Sequence, residues 1–519
     1  MKMKNIAAMA LACTFAIGAF ARPGTKTDYN VTEYGAKGDG KTIDTKGINK
    51  AIDAAAEHGG GTVYFPAGSY LSGSIHLKSN ISLYIDQGAT IIAADFTPEA
   101  GYDEPEKIVT NEYEDFGHRH WHNSLIWGEH LHDVSILGPG TIWGKGLSRS
   151  NKIDKMKGEE DKSPNKSIAL YMCRNIIIRD VSILHGGWFG ILATGADNMT
   201  IDNVKMDTNR DGMDIDCCQN VRVSNCSVNS PNDDGICLKS SYGLNTGRAT
   251  ENVTITNCQV SGFNEGSFLD GTFQRKDQRI ADNGGGPTGR IKFGTESNGG
   301  FKNITISNCV FVYCRGLALE TVDGAILEDV TITNITMRDI VNAPIFVRLG
   351  ARMRGPEGTP VGVCRRIIIS NIMAYNVDPR QSAIISGIPG HDIEDIRLSN
   401  IHIYYRGGGT KEQTQREVPG LEKEYPEPAR FGVLPSYGFF IRNVTDLKMN
   451  DVEVSYINED QRPPFMLDNV TGADFQHIRA QKVKDVPSFV LHNVTNLNIF
   501  NSINIANTKL GTISKKEIQ

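Results

Sequence analysis

The sequence has little excess charge of either sign. A net charge of −6 over 519 residues leaves no basic footprint, which argues against nucleic acid as a partner. It has no second long apolar run. Beyond residue 20 nothing approaches the roughly 20 apolar residues that a membrane-spanning helix needs, so no membrane span is expected. It also lacks a complete disulfide framework. Ten cysteines fall to nine once a leader carrying Cys13 is removed, and an odd number cannot all pair.

The leader is readable from its charge order. Lys2 and Lys4 precede the apolar run 6–20, and Ala19-Phe20-Ala21 is a small-x-small cleavage pattern. We expect a signal peptide over residues 1–21 and export to a bacterial periplasm or beyond. Lipidation at Cys13 is the weaker reading, because the apolar run continues past it.

What the chain has in quantity is repetition. "NIIIRDVSI" from Asn175, "NMTIDNVKM" from Asn198, "NVRVSNCSV" from Asn220, "NVTITNCQV" from Asn252 and "NITISNCVF" from Asn303 are one unit, and variants continue to "NLNIFNSIN" from Asn496. Each alternates apolar and polar residues around a central Asn or Asp. Alternation marks strands, and Asn tolerates the left-handed backbone of a tight bend. A unit this short cannot bury its own apolar face, so the units must stack. The expected fold is all-β: a right-handed parallel β-helix with an Asn ladder and an interior of Val, Ile, Leu and Cys. Cys226, Cys258 and Cys309 share one slot of the repeat and read as packing residues.

The rest of the chain is assigned around that coil. Residues 22–75 form an N-terminal capping segment, in which "DTKGINKAIDAAAEHGGG" places Ile48, Ile52, Ala55 and Ala56 on one helical face and ends at Gly59. The catalytic β-helix is assigned to residues 76–508. Within it, the polar, Pro-rich stretch 406–430 reads as a loop thrown out of the stack. Residues 509–519 read as a C-terminal tail.

Asp233 and Asp234 stand side by side in "NSPNDDGICLKS", and Asp211 in "NRDGMDID" precedes them by one repeat. Parallel rungs lie ~4.8 Å apart, so all three carboxylates should crowd one patch. Crowding raises at least one pKa. A raised acid beside an ionised base is the equipment for glycoside hydrolysis. A calcium site or a solvated turn is the plainer alternative. Asp214 and Asp216 read as structural.

The stretch from Asn209 to Ser240 resembles the core of glycoside hydrolase family 28, the polygalacturonase-like pectinases, which carry Asn-Thr-Asp and then Asp-Asp one rung later. "VTEYGAKGDGKTIDTKGINKAI" is similar to that family's N-terminal segment, and "GTESNGGFKNITISN" to its Gly-Ser-Glu-x-x-Gly-Gly rung. The resemblance covers most of the mature chain. It implies a pectin-lyase-like solenoid and an inverting hydrolase without metal or cofactor. Asp233 would be the general acid, and Asp211 and Asp234 would hold and deprotonate the water. A pectic polysaccharide or oligosaccharide is the implied partner, with the protein acting as a monomer.

Two motifs of the family are missing. Its Gly-His-Gly is replaced near Gly289 by a segment without histidine, and its Arg-Ile-Lys position holds Ala318, Leu319 and Glu320. An Arg-Ile-Lys does occur at Arg290, Ile291 and Lys292, one rung out of register. Arg290 and Lys292 either supply the missing cations from there or pair with Glu296 and Glu320 in a surface ion network; these four and Lys239 are the candidate substrate-binding residues. Lys239 is expected to bind a hydroxyl or carboxylate and to bias the carboxylate pKa values. These changes turn the expectation from plain polygalacturonan toward rhamnogalacturonan-type pectin, cut in exo mode with the insertion 263–286 closing the cleft. A pectate-lyase-like or epimerase activity, or a non-catalytic polysaccharide-binding β-helix, are the alternatives.

A histidine-rich segment completes the reading. His118, His120 and His122 would share one strand face, with His130 and His132 nearby. A packed rung with polar tips is expected there, ahead of a sugar-stacking wall formed with Trp121 and Trp127 and well ahead of a zinc site. Trp188, one rung before Asp211, either lines the cleft or packs in the core.

Overall fold

The computed structural model describes residues 27–519 except 107–112, 114–117, 150–152, 155–158, 161 and 276–285. The expected leader, with Cys13, lies outside the described residues.

The chain coils as a right-handed parallel β-helix whose strands stack into three walls. In the first wall, Lys166–Tyr171, Phe189–Thr194, Asp211–Asp216, Ile236–Ser240, Ile291–Ser297 and Leu317–Thr321 follow one another, each parallel to the last. Arg174–Arg179, Asp197–Asp202, Gln219–Ser224 and Thr250–Thr256 begin the second. Ser182–Leu184, Lys205–Asp207, Ser227–Asn229 and Gln259–Ser261 begin the third. From Phe301–Val312 onward the second and third walls run as one bent strand per rung.

The bends come from the Asn and Asp positions. Asn203, Asn225, Asn257, Asn308, Asn334, Asn371 and Asn400 all have φ between +51° and +57°. The opening Asn of each unit is left-handed too, at Asn175, Asn198, Asn220, Asn252 and Asn303. Each side chain also bonds to the next rung: Asn225 donates to Asp202 at 2.8 Å and accepts from Asn257 at 3.3 Å. The ladder is therefore double, along both edges of the second wall, and it lies at the surface rather than in the core.

Inside, like stacks on like. Cys226, Cys258 and Cys309 are buried in one column, which Ile335, Ile372, Ile401 and Val452 continue. Phe439, Phe465 and Phe489 stack ring on ring near the far end. The nine described cysteines are free and buried.

The capping helix is Thr45–Glu57, with Ile48, Ile52 and Ala55 buried over the open end and Ala56 half-buried. Two expected boundaries differ. Gly61–Phe65, Gly68–Ser72 and Ile75–His76 already pair with later rungs, so the coil begins inside the assigned cap. The expected tail is instead the strand Thr508–Ile518, laid antiparallel on Phe489–Phe500. Its polar and apolar residues alternate over the last rung, a pattern short enough to pass for a tail.

Replacing Asn225 by Ala removes both ladder bonds and forces a β-carbon residue into the left-handed region. We expect a loss of about 1–2 kcal/mol, and a smaller one for Asn225→Gly, which accepts that backbone. Urea unfolding of the two variants checks this.

Candidate active site

The trio forms where the third wall turns back into the first. Met213 pairs with Ile236, so Asp211 and Asp234, each two residues earlier, fall level. Backbone bonds fix the turn: Gly212 N–H donates to the Asp234 carbonyl at 2.9 Å, and Gly289 N–H donates to that of Asp233 at 2.8 Å. Ser230 Oγ donates to the carbonyl of Asp233 at 2.9 Å. One oxygen of each of Asp211, Asp233 and Asp234 lies within 4.8 Å of the others. Asp211 and Asp234 are buried, while the Asp233 side chain is 25% exposed.

Their environments push them apart. Burial, then the Asp233 and Asp214 charges, raise Asp211 well above the usual carboxylate range. Burial also raises Asp233, against the opposing Arg210 cation. Burial alone would raise Asp234, but Lys292 at 3.2 Å and Arg290 at 2.8 Å outweigh it and hold it well below that range. One carboxylate is thus kept ionised beside two that favour a proton, and neighbours this close titrate as a unit.

The expected binding residues fare differently. Arg290 and Lys292 do meet the trio, from the next rung, and they are buried, so the surface ion network is corrected. Lys292 stacks on Ala318, where the family has Arg-Ile-Lys. Lys239 does not face a substrate. It is buried and bonded to Glu296 at 3.0 Å, with Asp214 at 3.7 Å. Its charge still lowers Asp211, Asp233 and Asp234. Glu296 is equally enclosed, between Lys239 and Arg354. Glu320 lies behind Lys292 and Arg290, at 3.7 and 4.0 Å, fully buried and with neither oxygen hydrogen-bonded. These three residues are internal electrostatic supports. Outward-facing first-wall side chains looked like ligands only because alternation cannot show what covers them.

What covers them is the stretch expected to leave the stack. Residues 408–438 fold back along the first wall. Val418, Phe431 and Leu434 pack on Ala318, Phe346, Ile384 and Phe440. This loop brings Tyr425 Oη to 3.1 Å from Lys292, and Glu427 to 3.3 Å from Arg290 and 2.8 Å from Arg315. With Asn232, Thr288 and Arg430 they line a cavity of about 230 Å³ against Asp233 and Asp234. Nothing in the spacing linked residue 427 to residue 234. Arg210 had a signal that went unused: it replaces the Thr of Asn-Thr-Asp.

The histidine segment is not a strand face. His118 to His122 lie in turns and bends, where the x-H-x-H pattern carries no common orientation. Buried His118 bonds Asp214 at 2.9 Å, and His122 bonds Glu129 at 3.0 Å. Trp121 packs on Tyr171 and Trp127 on His122. Asp214 and Asp216 are both fully buried, and Asp216 accepts from Ser241. Among the described residues, the trio is the one cluster with the spacing of a metal site. Arg210 already pairs with Asp233, and Arg290 and Lys292 with Asp234.

Glu320 has a pH signature. Burial raises it from its ordinary 4.5 to about 7. The folded protein therefore holds a proton that the unfolded chain releases earlier, and stability falls as pH rises from 4.5 to 7. Glu320→Gln removes that loss. Its unfolding free energy relative to wild type should shift in its favour by about 1–3 kcal/mol across the window, as read from denaturant unfolding at several pH values.

Comparison with known proteins agrees with this geometry. The family model described as rhamnogalacturonase A/epimerase, pectate lyase-like, matches residues 29–125, and one described as right-handed β-helix region matches 148–274. A probable polygalacturonase of Vitis vinifera is 26% identical over 436 residues, 79% of this chain and 81% of that one. The exo-poly-α-D-galacturonosidase of Dickeya chrysanthemi is 29% identical over 41% of this chain and 42% of its own. The solved family 28 exopolygalacturonase of Yersinia enterocolitica shares the fold, with a TM-score of 0.62 at 17% identity over 86% of this chain and 78% of that one. With its crowded carboxylates set on a parallel β-helix, the chain is a glycosidase similar to polygalacturonases and exopolygalacturonases.

Proposed function

We propose that the protein hydrolyses galacturonate-containing bonds of rhamnogalacturonan-type pectin, releasing sugar from a chain end. The observation that carries the hydrolase reading is the split trio: Asp234 held ionised by two cations, and Asp211 and Asp233 raised toward the protonated state. Asp233, the most accessible of the three, donates the proton to the leaving oxygen. Asp211 and Asp234 hold the water, and Asp234, the ionised one, accepts its proton. General acid–base work of this kind contributes about 10²- to 10⁴-fold.

Two further observations support the exo mode. The cavity against Asp233 and Asp234 is small, about 230 Å³, and Tyr425, Glu427 and Arg430 of the folded-back loop help to line it. The relatives in Dickeya and Yersinia are named for exo activity. The inverting outcome rests on the family resemblance. The trio oxygens lie closer than the ~6.5–9.5 Å usual for an inverting pair, so the water would sit against the trio rather than between two separated groups. Lyase chemistry fits less well, because it needs a deprotonated basic side chain, and carboxylates hold the candidates as cations: Asp234 holds Arg290 and Lys292, and Glu296 holds Lys239. Among the described residues no helix is long and apolar enough to cross a membrane. Export, by the leader, and action as a monomer complete the proposal.

Product analysis on polygalacturonate, rhamnogalacturonan and their oligosaccharides tests it. The expected result is release of saturated monomer, falling about 10²- to 10⁴-fold in Asp233→Asn, with the product anomer inverted in fresh NMR spectra. An unsaturated, ultraviolet-absorbing product would replace the hydrolase by a lyase. Retained anomeric configuration would overturn the inverting step.

A further inference from the structure

Three described cations pair with the trio, and one differs from the other two. Arg290 and Lys292 are buried, with side chains 3% and 2% exposed, and both are committed to Asp234. Arg210 is 29% exposed and pairs with Asp233 at 2.5 Å. Its guanidinium carbon lies over the Trp188 ring, 3.9 Å from the ring centre. That cation–π contact holds the guanidinium beside the trio, and an Arg so placed can read a planar carboxylate through two parallel bonds. Arg210 Nε is buried and has no hydrogen-bond partner. Of the two donors a bidentate pair needs, one is therefore on Asp233 and the other is unused.

We propose that Arg210, braced on Trp188, is the residue that recognises the carboxylate of an acidic sugar, and that it leaves Asp233 to do so. The inference rests on the hydrolase reading above and names the specificity residue of that site. It also supplies a reason for the missing Arg-Ile-Lys position, whose residues here are Ala318, Leu319 and Glu320.

The exchange has a catalytic consequence. Without substrate, Arg210 offsets part of the proton affinity that burial gives Asp233. The groups facing Asp233 are Arg210, Asp211, Asp234, Lys239, Lys292 and Tyr425, and Arg210 is the nearest cation. When a sugar carboxylate takes the guanidinium, Asp233 loses that partner while Asp234 stays ionised at its side. Asp233 then holds a proton at higher pH than before, the form a general acid must have. A neutral or esterified sugar leaves Arg210 on Asp233 and its proton affinity unchanged.

The test compares wild type with Arg210→Gln on oligogalacturonate and on its methyl ester. We expect KM for the acid to rise about 10- to 100-fold, as for loss of a charge-assisted bond, with the ester changed less than about twofold. In wild type the alkaline limb of kcat should lie at higher pH than that of kcat/KM, because the first reports the complex and the second the free enzyme. In Arg210→Gln the kcat/KM limb should move up to meet it. Arg210→Lys keeps the charge and should keep part of the discrimination, which guards against a folding defect in the first variant. A wild type that hydrolyses no pectic substrate overturns the function and this inference together. Active wild type with equal losses on acid and ester in either variant, or an unmoved kcat/KM limb, overturns the inference alone.

Discussion

Every part of this protein depends on the vertical register of parallel rungs about 4.8 Å apart. A residue in one coil has its counterpart directly above, so any property of one position is repeated or opposed at close range. Apolar residues gain from this, as in the column from Cys226 to Val452 and the stacked rings of Phe439, Phe465 and Phe489. Asn gains as well, because its amide donates to one neighbour and accepts from the other, as Asn225 does. Charges are the exception. Placed in the same column they repel, and a site that needs several carboxylates must answer each with a cation from another rung or another loop.

That requirement explains the outward face of the first wall. Asp211, Asp234, Arg290 and Arg315 come from successive rungs at or beside the turn into that wall, and Glu427 arrives from a loop more than a hundred residues later to balance the two arginines. Lys239 with Glu296, and Lys292 with Glu320, repeat the alternation further along each strand. Buried pairs of this kind contribute little net stability, because desolvation offsets most of their attraction. Their effect here is on proton affinity: the same cations that neutralise Asp234 leave Asp211 without comparable help.

The coil was legible because it is periodic. A unit repeated ten times, with Asn in the bend and alternation either side, admits few other structures. The trio was legible for the same reason, since a one-unit offset from Asp211 to Asp233 translates directly into contact. The site's outer shell was not. Tyr425 and Glu427 sit in 408–438, whose composition signals only that it leaves the repeat, and whose apolar anchors Val418, Phe431 and Leu434 show no period. Lys239, Glu296 and Glu320 read as ligands because nothing local distinguishes an outward side chain in water from one under a loop. The strand Thr508–Ile518 escaped because it belongs to no unit, and its pairing runs the other way.

That reversed strand bears on how the coil ends. A parallel β-helix is in principle endless: its last rung offers the same unpaired amides and carbonyls that its first rung would accept, so two copies could join end to end and continue as a filament. Thr508–Ile518 occupies that edge along nearly its whole length with the opposite polarity. A copy arriving in the parallel sense would meet a backbone pointing the wrong way, flanked by Lys509, Lys515 and Lys516. At the other end the helix Thr45–Glu57 covers the first rungs. Reversing eleven residues thus removes the parallel edge on which a further copy would continue the coil.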